Sequence, residues 1–269
     1  MSRATQSGVT LLELLVGLAI GLMTIAVALG ALLISRGVSG TVSDASQLQQ
    51  QGAYALRVVG RQLRQAGAIR LNTAFGAAAG AAEDPAQPVA FETTFDRNTR
   101  TLQSDPTYAL RVGYQNFTET VSTASTAQSL LSDCLGRSST TAAVVQSDFR
   151  LQRATGASTG DLLCRGTDGS EEALIGNVAD FRVTYLVQTL PTGGVGATTV
   201  RRVAPAAMAT ADWASVVAVD VCLELVGDEN IDTAGATYRN CAQSDVSLGN
   251  RMRLVLRNTF QLRSRGAAR

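Results

Sequence analysis

Two kinds of residue stand where their chemistry would matter. Glu13 is the single charge in the apolar run from Val9 to Ile34, VTLLELLVGLAIGLMTIAVALGALLI, and the four cysteines, Cys134, Cys164, Cys222 and Cys241, all lie beyond residue 130. A carboxylate at that depth in a membrane costs on the order of 2.5–3.5 kcal/mol, less near an end where it reaches the headgroups. Such a group calls for a cation, because pairing relieves both charges. Four cysteines allow three pairings. The two sequence-local ones, Cys134–Cys164 and Cys222–Cys241, are expected, each closing a loop worth ~3–4 kcal/mol in the chain-entropy estimate. A zinc site would need close pairs such as CxxC, and no two cysteines here stand nearer than nineteen positions.

The rest of the composition removes most catalytic chemistry. The 269 residues contain no histidine and no lysine; all 23 basic residues are arginine, against 22 acids, for a net charge of +1. Histidine general bases, Ser-His-Asp triads, His-ligated metals, Schiff-base lysines and phosphate-loop lysines are therefore excluded. Glu171 and Glu172 are adjacent, which points them to opposite sides of a strand. Asp228-Glu229-Asn230-Ile231-Asp232 starts like a calcium loop, but the sixth and twelfth positions hold Thr233 and Arg239 rather than glycine and glutamate. It reads as a solvated acidic loop. Arg251, Arg253, Arg257, Arg263, Arg265 and Arg269 come after the last acid, Asp245, at spacings of an outward strand face and without interleaved aromatics for base stacking. We expect neither an enzyme nor a cofactor, and no specific nucleic-acid partner.

The elements that position Glu13 and the cysteines are set by periodicity. As a helix, Val9–Ile34 would be roughly 39 Å long, enough for a ~30 Å hydrocarbon core. The leader MSRATQSG carries Arg3 and no acid, so the positive-inside rule keeps it cytoplasmic and exports the chain beyond Ile34. A cleaved signal peptide, with Ala26-Val27-Ala28 as its cut site, is the alternative; the single arginine before the run and Glu13 within it argue against that. Beyond the run, Val38, Val42, Ala45, Leu48, Leu56, Val59, Leu63 and Ala66 keep helical spacing, Arg57, Arg61 and Arg64 fall on or beside the other face, and Gly67 is a C-cap. The pattern predicts one helix over 9–66. Gly37, Gly40, Gly52 and Gly60 weaken it by ~1 kcal/mol each and mark flexible or closely packed points. Residues 69–107 read as a long irregular connection centred on Ala77–Ala82. Strand patterns come next, at Tyr108–Tyr114, Ala142–Gln146, Asp161–Cys164, Val178–Val187, Ala214–Val226 and Arg251–Arg263, the last two with strict alternation. Loops are expected at Thr189–Thr199 and Gly227–Tyr238.

Taken in register, Gly8-Val9-Thr10-Leu11-Leu12-Glu13 before an apolar helix resembles the processing signal of type IV prepilins and pseudopilins. The resemblance implies cleavage after Gly8, methylation of the new amine on Val9, and a role for Glu13 in subunit assembly, where the Val9 amine of one subunit meets Glu13 of its neighbour. Val9 departs from the family's usual phenylalanine. Gln51–Ala68, QGAYALRVVGRQLRQAGA, resembles a helical stretch of the PilW group of minor type IV pilins. So do Asp133-Cys134-Leu135-Gly136, Leu162-Leu163-Cys164, Leu174-Ile175-Gly176-Asn177-Val178, Phe181-Arg182-Val183-Thr184-Tyr185 and Trp213-Ala214-Ser215-Val216-Val217-Ala218-Val219. The likeness covers the first 68 residues well and 133–263 in scattered blocks.

It implies an α+β, type IV pilin-like fold: leader 1–8, transmembrane half-helix 9–34, amphipathic half-helix 35–68, and an antiparallel β-rich head over 69–269. The implied function is a minor pilin that helps initiate pilus assembly at or near the filament tip. Its partners would be other minor pilins, the major pilin, the prepilin peptidase, the inner-membrane assembly platform and a large tip adhesin. Its place would be the inner membrane with the head in the periplasm, then the pilus fibre. A J-like minor pseudopilin of a type II secretion system and a soluble exported β-rich binding protein are the alternatives.

Overall fold

The computed structural model describes residues 8–72, 90–91, 95–120, 126–191 and 197–263. Residues 1–7 of the leader, with Arg3, the Ala77–Ala82 segment, the middle of the Thr189–Thr199 loop, and Arg265 and Arg269 lie outside the described residues. The chain divides into two units, Met1–Gln47 and Leu48–Arg269. One helix, α1 (Leu11–Gln65), supplies the described part of the first unit from Leu11 on and opens the second.

From Leu14 to Leu33 the helix is apolar all round. Leu11, Leu12, Leu14, Leu15, Leu18, Ile20, Leu22, Ile25 and Leu29 are all exposed, and an 18-residue window reaches a mean hydropathy of 2.4. A helix with no polar face is suited to lipid or to a bundle of similar helices.

The second unit is α+β, with the helix on an antiparallel sheet as expected. Its strands are β1 (Leu71–Asn72), β2 (Ala90–Phe91), β3 (Leu102–Gln103), β4 (Leu110–Gln115), β5 (Thr118–Glu119), β6 (Gln128–Ser129), β7 (Val144–Gln152), β8 (Gly160–Arg165), β9 (Glu171–Thr189), β10 (Thr199–Val203), β11 (Val216–Asn230), β12 (Thr237–Arg239), β13 (Asp245–Ser247) and β14 (Arg251–Gln261), with the single-turn helix α2 (Arg97–Arg100) before β3. The main sheet runs β14-β11-β9-β8-β7-β4-β3, with β10 also on β9, and every pairing is antiparallel. The two-residue pairs β1–β2 and β5–β6 and the hairpin β12–β13 stand apart from it.

The inner face of the sheet meets the helix. Leu48, Ala55, Val58, Val59, Leu63 and Ala66 form one core with Val112, Phe149, Leu162, Val183, Tyr185, Val219, Leu223 and Phe260. Gly52 and Gly60 are closely packed points: a Cβ on Gly52 would run into the Leu256 side chain, and one on Gly60 into the Phe260 ring. These two glycines trade helix propensity for close approach to β14. The helix stops at Gln65 because Gly67 takes φ +68°, and the Gly67 N–H donates to Gly113 O on β4 (2.9 Å). That bond satisfies the chain where it leaves the helix and ties it to the sheet.

The outer face is polar. Register places Arg111, Asp148, Arg165 and Glu171 in one rung across β4, β7, β8 and β9, so charge alternates sign from strand to strand, a favourable cross-strand arrangement. Asp148, 1% exposed, accepts from Arg111 Nη2 (3.2 Å) and Arg165 Nε (3.1 Å). The Tyr108 ring lies against the same group, with the Arg165 guanidinium 4.3 Å from its centroid.

Several expectations shift. β7 runs on to Gln152 because Asp148 and Arg150 are outward members of an alternating strand. β9 begins at Glu171, since Glu171–Val178 pairs with β8 before Val178–Val187 pairs with β11. β11 extends through a bulge to Asn230, which pairs with Arg251, so the Gly227–Tyr238 loop is shorter than its pattern suggested. β10 begins at Thr199, where a loop was expected to end.

Candidate functional site

The start of α1 is a capping box. Thr10 precedes the first helical residue, and its N–H and hydroxyl both donate to Glu13 Oε2, at 2.9 and 3.0 Å. In return the Glu13 N–H donates to Thr10 Oγ1 (3.3 Å), and the Leu14 N–H donates to Thr10 O (3.2 Å). The T-x-x-E spacing thus satisfies backbone groups that a helix start leaves without partners. A carboxylate in the first turn also suits the positive end of the helix dipole. Gly8 has open space around its α-carbon, and Val9 is 74% exposed, so the Gly8–Val9 peptide stands clear immediately before the cap. Periodicity and composition miss this reciprocal cap, although Thr10-Leu11-Leu12-Glu13 carries its signature. Glu13 therefore has a partner within its own chain, at the residue next to Val9.

The cysteines sit on the second unit. Cys134 is bonded to Cys164, with Cα atoms 6.4 Å apart, and Cys222 to Cys241, at 5.7 Å. Cys164 lies on β8 and faces the core. Its partner's loop is held by Asp133, wholly buried, which accepts from the Leu135 and Arg137 N–H groups (3.0 Å each) and from the Thr167 N–H (2.9 Å). One buried carboxylate with three backbone donors thus joins the 133–137 loop to the β8–β9 turn.

Cys222 lies on the outer face of β11 and holds the β12–β13 hairpin across it. Tyr238 Oη donates to Glu224, which also accepts from Arg253 Nη1 (2.9 Å). Arg257 Nη2 donates to Cys241 O (3.2 Å). Burial, with the Glu224 carboxylate beside it, pushes the Tyr238 hydroxyl up to about 12. The cover at Glu224 and Cys222, with Arg202 of β10 on Asp220, accompanies burial of β11 on both faces, where alternation alone predicts a half-buried strand. It also draws two of the C-terminal arginines into contacts inside the head.

The other acidic motifs are dispersed by the fold. Glu171 pairs with Arg150 (2.6 Å) while Glu172 turns to Arg137. Asp228, near the end of β11, accepts from Asn177 Nδ2 (3.0 Å), and Asp232 accepts from the Ala234 N–H in its own turn (3.0 Å). Among the described residues, no group of three or more cysteines or acids is placed to hold a metal ion.

No protein-family model matches the chain, and a search of curated proteins yields no match. Among solved structures, a type IV-like pilin from Thermus thermophilus is similar, at 11% identity and a TM-score of 0.38, over 82% of this chain and 97% of that one.

Proposed function

We propose that the protein is a minor type IV pilin of the PilW kind, an assembly protein rather than an enzyme. In this reading the chain is made as a prepilin, cut after Gly8 and methylated on Val9. The observation that carries it is the order of parts at the helix start: an accessible Gly8–Val9 peptide, the Thr10–Glu13 cap, then an apolar helix with no polar face. Cleavage at that peptide would leave a cationic amine on Val9, next to Thr10 of the cap and four residues before the capped carboxylate. The cap occupies Glu13 Oε2, and the second oxygen can accept the amine of a neighbouring subunit without undoing it. Pairing the two charges removes a cost that each carries alone in lipid.

The helix would bundle with those of other minor pilins to start a filament, its small residues Gly17, Gly21, Ala28 and Ala31 allowing close approach. The head would sit at or near the tip, in contact with other minor pilins and with a tip adhesin. The major pilin, the prepilin peptidase and the inner-membrane platform complete the partners, and the head would be periplasmic until assembly.

The test is the intact mass of the protein from its native membrane, before and after reduction. A chain beginning at methylated Val9 supports the reading; one beginning near residue 29 overturns it. Surface pili counted in a Glu13→Ala strain test the assembly role, and unchanged piliation would overturn that part.

A further inference from the structure

The main sheet ends in two unlike edges. At one end β3 is two residues long and follows the α2 turn, a short edge that offers a passing strand little to pair with. At the other end β14 is eleven residues long, and Arg253–Gln261 pairs with β11 in unbroken register, with no proline and no bulge. Among the described residues β14 has no partner on its far side. The Leu262 N–H donates to Val217 O (2.9 Å), which sets the phase of the ladder. Even-numbered residues of β14 exchange bonds with β11, so the N–H and C=O groups of Arg253, Val255, Arg257, Thr259 and Gln261 point away from it. Among the described residues these groups have no hydrogen-bond partner.

The two faces of this edge differ in kind. The outer face carries Arg251, Arg253 and Arg257 and no acid. Arg253 is tied to Glu224, whereas Arg251 and Arg257 pair with no carboxylate among the described residues and are exposed. On the inner face Met252, Leu254 and Leu256 are only partly buried. Gly52 and Gly60 bring α1 over Leu256 and Phe260, yet Asn258 between those two is exposed, so the helix stops short of the edge. A long open edge accepts an added strand through its backbone groups, and its side chains select which strand. A second copy of β14 contains no acid and would set arginine beside arginine, which is unfavourable. A strand that alternates acidic and apolar residues places carboxylates beside Arg251 and Arg257, in charge-assisted pairs, and extends the row of Met252, Leu254 and Leu256 on the other face.

We propose that β14 takes up, by strand addition, an extended segment of a partner protein in which acidic and apolar residues alternate, its carboxylates on the outer face with Arg251 and Arg257 and its backbone on Val255, Arg257 and Thr259. This surface is independent of how the N-terminus is processed. Its test reads peptide binding and amide exchange rather than chain mass or piliation, so either reading can fail alone.

The test titrates the full-length protein in detergent with a ~9-residue peptide of alternating glutamate and valine, capped at both ends. Saturable binding with a dissociation constant near ~100 μM is expected. The Val255, Arg257 and Thr259 amides should exchange fast in the free protein and slow by ~10-fold or more at saturation, while those of Leu254 and Leu256 are slow in both states. Val255→Pro removes one outward N–H and no bond to β11, a placement that an edge strand tolerates, and should abolish binding. The Arg251→Glu/Arg257→Glu variant keeps the backbone edge and should weaken binding by ~10-fold. Absence of saturation, equal binding of a lysine–valine peptide or of a fully N-methylated one, unchanged exchange at the three amides, or variants that bind as well as the parent would overturn the proposal. So would tighter binding of a single-stranded oligonucleotide. Protection of those amides that grows with protein concentration alone would overturn it too, and would assign the edge to a second copy.

Discussion

Gln62 of α1 and Tyr114 of β4 are joined inside the core: Tyr114 Oη donates to Gln62 Oε1 across 3.0 Å, and both residues are wholly buried. The same hydroxyl lies 2.7 Å from Ser132 O, which also accepts from Gln62 Nε2 (3.4 Å). Burial holds the Tyr114 hydroxyl well above the ordinary tyrosine value, so it stays a donor. Tyr114→Phe keeps the ring and leaves the buried Gln62 Oε1 without this donor. It should cost about 1–3 kcal/mol, read as a lower urea midpoint with an unchanged slope.

Gly60 offers a second test of the helix–sheet contact. On propensity alone, Gly60→Ala would stabilise the helix by ~1 kcal/mol. Its new methyl group would meet the Phe260 ring, and overpacking of that kind costs about 1–3 kcal/mol. We expect net destabilisation, largely relieved in the Gly60→Ala/Phe260→Leu double variant. Equal melting temperatures for Gly60→Ala and the parent would refute the contact.

At the helix start, capping and charge can be separated. Thr10→Ala removes the cap at a cost of ~1 kcal/mol and keeps the Glu13 charge, whereas Glu13→Gln keeps a capping-box side chain and removes the charge. If Glu13 serves assembly through an amine of another subunit, Glu13→Gln should lower pilus number as Glu13→Ala does, and Thr10→Ala should lower it little. Counting surface pili in the three strains decides this; the reverse ranking would assign Glu13 to the cap alone.

Acid should loosen the head. The Arg150 hydrogen bond, against the opposing effect of burial, holds the Glu171 carboxyl below its usual value. The Ser170 hydroxyl and N–H, with Arg137, hold Asp168 at about 2. Lowered values mean that the stability is present above the unfolded carboxylate range of about 4 and is lost as pH falls through the folded values. The melting temperature should therefore be level from neutral pH to about 5 and fall between about 4 and 2. Glu171→Gln should make that fall shallower.

Much of the frame was legible because it rests on period. The 3.6-residue stripe gave the core face of α1, and the two-residue alternation gave β11 and β14. The parts that escaped are those where a polar residue is inside or an apolar period is broken by partners distant in sequence. Gln62 sits on the core stripe yet reads as surface, because nothing local announces Tyr114. Asp133 and Asp148 look like solvated acids until backbone N–H groups and two arginines converge on them. The first half of β9, EEALIGN, has no alternation to track, since Glu171 and Glu172 each serve a different arginine. At the N-terminus, the spacing of Gly8, Val9 and Glu13 was visible, and the bond from Thr10 to Glu13 needed geometry.

The contact between Gly60 and Phe260 joins the beginning of the head to its last strand. A ribosome delivers the helix long before β14 exists, so Gly52 and Gly60 meet Leu256 and Phe260 only when synthesis is nearly complete. A chain broken off before Arg251 would lack Leu256 and Phe260, the side chains that close over Gly52 and Gly60. The seam at residues 60 and 260 is therefore a part of the core that only a chain carrying its last strand can close.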